Sequence, residues 1–97
     1  MDRRTRIETK LRESFAAPYV LVVDESHHHA GHAGAREGGG HFRAVVVSER
    51  FAGKLPVERQ RLVYAVLAEE MGSEIHALSM QTLTPAQWAE QRPGPAS

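Results

Sequence analysis

Residues 41–83 read HFRAVVVSERFAGKLPVERQRLVYAVLAEEMGSEIHALSMQTL, and the fold turns on this stretch. HFRAVVVSERF (41–51) is rich in β-branched and aromatic residues, which pack well on a pleated surface, so it reads as a strand. FAGKLP (51–56) breaks the run, and Pro56 suits the first position of a helix because its missing N–H has no partner there anyway. From Val57 to Met71 apolar residues recur at Leu62, Val63, Val66, Leu67 and Met71 with charges between them. That is the pattern of an amphipathic helix, and Gly72 is its expected C-cap. EIHALSMQTL (74–83) returns to strand character. A strand–helix–strand crossover joins parallel strands.

Working outward, YVLVVDES (19–26) reads as another strand, which pairs antiparallel with 41–51 around the intervening loop. Ahead of it, Ile7, Leu11 and Phe15 repeat at four-residue spacing and predict a helix over 2–16. Thr5 with Glu8 fits a capping box, and Pro18 stops the helix. Beyond 83, Thr84-Pro85-Ala86-Gln87 is a helix start, and the short helix carries Trp88. The expectation is an α+β domain over residues 1–91, with a three-stranded mixed sheet covered by helices on one face and a short C-terminal helix. RPGPAS (92–97) is expected to be a flexible tail.

The 97 residues suffice for one modest core. Twelve basic and twelve acidic residues give no net charge, which argues against nucleic-acid binding by bulk electrostatics and leaves self-association into a homodimer open. No cysteine is present, so the chain has neither a disulfide nor thiol chemistry of its own. MDRRTRIETKL lacks the apolar core of a signal peptide and no run reaches membrane-spanning length, so a cytoplasmic protein with no membrane partner is expected. No nucleophile–base constellation, phosphate-binding glycine loop or convincing carboxylate pair suggests an enzyme; Glu69-Glu70 reads as solvent-facing charge.

Five of the six histidines fall in ESHHHAGHAGAREGGGH (25–41), among five glycines. Such a loop can bind a metal, sense pH, or be a solvated tract. His27 to His32 lie too close in sequence to build a tetrahedral site unaided, and no Cys-x-x-Cys or His-Glu-x-x-His pattern is present. The sixth, His76, stands near the start of the third strand; on its own it reads as a half-buried strand histidine sooner than as a ligand.

VVDES (22–26), HF (41–42), VVVSERFAG (45–53), RQRLVY (59–64), LAEEM (67–71) and IHAL (75–78) together resemble the BolA family, over about residues 5 to 90. The resemblance implies an αββαβ fold similar to a class II KH domain. It also implies a non-enzymatic partner of a monothiol glutaredoxin, the pair sharing a [2Fe–2S] cluster. Glutaredoxin and glutathione would supply thiolates and this chain imidazoles. His76 matches the family's C-terminal ligand, and His29 matches its loop ligand in Glu-Ser-x-x-His, with His27, His28 and His32 as alternates. His41 is expected to start its strand and orient the loop; Glu25 and Asp24 can hydrogen-bond a histidine and fix its tautomer.

The family resemblance also implies a second role, as a DNA-binding transcriptional regulator linked to stress, cell shape and biofilm formation. Lys54, Arg59 and Arg61 are the candidate contacts to DNA or to glutaredoxin. Gln60 departs from the family's usual Arg-His-Arg. GHAG (31–34) formally fits the Gly-x-x-Gly of KH domains but lies between strands, not helices.

Overall fold

The computed structural model describes residues 2–26 and 40–91. The first helix, α1 (Arg3–Phe15), buries Ile7, Leu11 and Phe15 on one face, as the four-residue spacing requires. Its cap differs from the expected capping box: an Asp2 carboxylate oxygen accepts from the Thr5 amide at 2.7 Å. Glu8 instead bridges Arg4 and Arg12, one turn to either side. Ala16, in the left-handed region at φ 47°, ends the helix and turns the chain into β1 (Tyr19–Asp24).

β1 pairs antiparallel with β2 (Gly40–Val47), and β2 pairs parallel with β3 (Ile75–Leu83), so β2 is central. β2 stops at Val47, short of the expected Phe51. Ser48, fully buried, donates its hydroxyl to the Phe15 carbonyl at 2.6 Å and accepts from the Arg50 amide at 3.1 Å. A short 3₁₀ turn, Glu49–Phe51, then drives the Phe51 ring into the core, 5.0 Å from that of Phe15.

The helix α2 (Pro56–Val66) starts with its proline as expected, and Glu58 accepts from the Leu55 amide at 2.7 Å. It ends at Val66, not Met71. After it, the Glu70 carbonyl accepts the amides of Glu74 and Ile75, and the chain reverses. Gly72, at φ +86°, belongs to this turn rather than capping the helix. Glu70 also overturns the reading of Glu69-Glu70 as surface charge: it is buried, with its carboxylate held at 3.0 Å by Lys10 of α1.

The core lies between one sheet face and the helices α1 and α2. Val20, Val22, Phe42, Ala44 and Val46 meet Ile7, Leu11 and Val63 there. Tyr19 and Leu21 point away from it and are exposed. The last helix, α3 (Pro85–Gln91), returns to that opposite face, where Trp88 stacks on Tyr19 at 4.8 Å.

Candidate metal centre

The site is built at the N-terminal end of β2, where the loop from β1 arrives. Gly40 and Phe42 face the core, so His41 between them points to the other side of the sheet. Along the β2–β3 ladder, Gly40 opposes Ile75 but His41 opposes Ala77. One step on β2 therefore spans two on β3, and His76 is the residue left without a ladder partner. An irregularity of this kind re-aims a side chain. Here His76 is exposed and its ring centre stands 5.3 Å from that of His41, the planes tilted by 41°.

That separation suits a shared ion. Two imidazole nitrogens bound at about 2.0–2.1 Å to one tetrahedral metal put their ring centres about 5 Å apart. Among the described residues no third histidine, cysteine or carboxylate joins the pair. Any further ligand must come from elsewhere.

The loop's two ends are fixed beside the pair. The His41 amide donates to the Ser26 hydroxyl at 3.1 Å, and the Glu25 amide donates to the His41 carbonyl at 2.7 Å. Asp24 in turn accepts from the Ser26 amide at 2.9 Å. Gly40 permits this approach: a Cβ there would sit 2.7 Å from both the Ser26 hydroxyl and the Phe42 ring. The Glu25 carboxylate pairs with Arg43 at 3.3 Å. Its tie to His41 runs through the backbone.

The other expected residues fall as follows. His27, His28, His29 and His32 lie outside the described residues, as does the 92–97 tail. Lys54 and Arg61 are exposed at the start of α2. Arg59 is not a surface contact: it is 7% exposed. Its Nε donates to the Lys54 carbonyl at 2.9 Å, and its Nη1 to the Thr82 carbonyl at 3.0 Å and Gln87 Oε1 at 2.8 Å. The guanidinium also lies over the Phe51 ring. Arg59 locks α2 to β3 and α3.

Sequence reasoning gave His41 a supporting part and missed its ring contact with His76. In-out alternation along HFRAVVV already put His41 on the face away from the core. The irregularity that turns His76 toward it has no signature in IHAL.

The family model described as BolA-like protein matches residues 11–87. The chain is 44% identical over 85 residues to the DNA-binding transcriptional regulator BolA of Escherichia coli, covering 88% of this chain and 78% of that protein. It is 48% identical over 84 residues to human BolA-like protein 1, covering 87% of this chain and 59% of the human one, so it spans under two thirds of that relative's length. Among solved structures, BolA1 from Arabidopsis thaliana superposes with a TM-score of 0.78 at 37% identity, covering 90% of this chain and 96% of that one.

Proposed function

The chain belongs to the BolA family, and from that premise we propose that it is a cytoplasmic iron–sulfur adaptor that lends imidazole ligands to a [2Fe–2S] cluster carried by a monothiol glutaredoxin. The observation that supports this reading is the His41–His76 pair, 5.3 Å apart at the base of the histidine-bearing loop. A chain without cysteine offers no thiolate, so in this reading thiolates come from the glutaredoxin and its glutathione. Neutral imidazoles in place of thiolates make such a cluster less negative and raise its reduction potential, as in Rieske centres.

His76, on the sheet, is the fixed ligand in this reading. The second imidazole comes from His29 or from His41. His29 is three residues past Ser26, which limits its reach to about 10 Å from the anchored loop end. The Ser26–His41 hydrogen bond and the Glu25 backbone tie keep the loop's base in place while the loop reaches the partner.

The test is a titration into [2Fe–2S]-loaded monothiol glutaredoxin, followed by visible circular dichroism. Wild type is expected to change the spectrum, and His76→Ala to abolish the change. Parallel His41→Ala and His29→Ala titrations identify the second ligand. An unchanged wild-type spectrum at high protein concentration overturns the proposal.

A DNA-binding regulator is the second reading, favoured by the similarity to the E. coli DNA-binding transcriptional regulator BolA and by the exposed cations Lys54 and Arg61. It expects salt-sensitive binding to duplex DNA that weakens in Lys54→Ala and Arg61→Ala. Binding indifferent to both substitutions removes its basis.

A further inference from the structure

Two concave surfaces flank α1, and they differ in charge. One, of about 300 Å³, is lined by Arg6, Lys10, Glu13, Glu69 and Glu70 among others, and its cations meet carboxylates within the chain: Lys10 bridges Glu69 and Glu70. The other, of about 430 Å³, lies between the C-terminal end of α1 and the outer side of α2. Its walls are Phe15, Leu62, Ala65 and Val66, with Arg50 and Lys54 beside them and no acidic residue in the lining. Arg50 is held in place by donating to the Ser14 carbonyl at 2.6 Å. Neither Arg50 nor Lys54 has a carboxylate partner among the described residues. Leu62 in the wall is 37% exposed, and Leu55, at 65%, extends the apolar area beyond the groove.

In a chain whose charges sum to zero, this is a place where cations remain unmatched around an apolar groove. We infer that the groove docks a segment of a partner protein that carries an apolar anchor side chain flanked by carboxylates. The volume lies within the range of ordinary binding pockets and accepts a leucine or phenylalanine side chain. The fixed Arg50 and the longer-reaching Lys54 then face the flanking carboxylates. A nucleic-acid backbone fits less well, because it has no apolar anchor for the Leu62–Ala65–Val66 wall and because Arg59 points inward. The groove is lined by Arg50 and Lys54, which follow the end of β2 opposite the histidine pair; His41 and Val47 are six residues, or about 20 Å, apart along the strand, so the inference stands independently of the cluster reading.

The test uses a fluorescein-labelled peptide, Asp-Glu-Leu-Phe-Asp-Asp, with anisotropy for affinity and backbone-amide NMR shifts for location. The comparison probes are Asp-Glu-Gly-Ser-Asp-Asp, Lys-Lys-Leu-Phe-Lys-Lys and a duplex DNA. The acidic apolar peptide is expected to bind and to shift Leu62, Ala65 and Val66. Lys54→Glu, which reverses an exposed charge, and Ala65→Trp, which fills the groove, are each expected to weaken it by about fivefold or more. Far-UV circular dichroism checks that both variants fold. Equal binding of the Gly-Ser peptide, groove shifts produced by DNA in place of the peptide, or no shift at millimolar peptide each overturns the inference.

Discussion

The two ends of the central strand β2 are built on opposite plans. At Val47 the chain is fastened from every side: the buried Ser48 hydroxyl holds the end of α1, and Arg59 ties α2 to β3 and α3. At Gly40 the fastening runs through the backbone of His41. Ser26 and Glu25 bind the amide and carbonyl of His41, while the rings of His41 and His76 point away from the core. A fixed backbone under imidazoles that project from the sheet suits ligand donation, because the strand pairing sets where the donors stand.

The comparison breaks most visibly at Arg59. Arg59→Ala leaves the Lys54 and Thr82 carbonyls without this donor in a partly buried setting and the Gln87 amide oxygen with the Thr84 amide, and is expected to cost about 2–3 kcal/mol, read from urea denaturation. His76→Ala at the other end should stay within about 0.5 kcal/mol, since its ring is exposed. Equal costs at the two positions would erase the distinction. Next in size, Gly40→Ala forces the Ser26 hydroxyl or the Phe42 ring to move, at about 1–3 kcal/mol. Faster hydrogen exchange at the His41 amide is the local signature, because that amide loses its Ser26 acceptor. Ser48→Ala follows, at about 1–2 kcal/mol from the lost bond to Phe15, with the cluster titration unchanged.

The smallest effects are electrostatic. Hydrogen bonds from Arg12 and then Arg4 lower the Glu8 pKa, so its stabilisation is present above the ordinary carboxylate value and is lost as pH falls through the depressed one. Hydrogen bonds to Glu70 and then Glu69 raise the Lys10 pKa. That contribution is complete below the ordinary lysine value and is lost as pH rises through the raised one. Stability should therefore be level around neutrality and fall on strong acidification. Glu8→Gln should flatten the acid limb; an unaltered limb would assign acid loss to other carboxylates.

The sheet, its mixed pairing and the buried face of α1 were legible because periodicity reports burial directly: Ile7, Leu11 and Phe15 all went inside, whereas Leu62 of the expected α2 face is exposed. The end of α2 was not legible. Leu67 and Met71 continue a helical spacing in the sequence, but the chain reverses where Glu70 is drawn to Lys10, a residue sixty positions away. Arg59 was misjudged for a related reason. A charged residue on an amphipathic helix ordinarily faces solvent, and only the tertiary arrangement offers it two carbonyls and an amide oxygen. At the site, His76 was singled out by resemblance, while its nearness to His41 depends on a pairing irregularity that local composition does not encode.

The most direct test of the central claim is pulsed EPR of the reduced [2Fe–2S] cluster in the mixed glutaredoxin complex, with this chain alone labelled with ¹⁵N-histidine. The account predicts hyperfine couplings from two imidazole nitrogens of this chain, one lost in His76→Ala and the other in either His41→Ala or His29→Ala. A cluster that shows no ¹⁵N coupling while the two proteins are bound would contradict it.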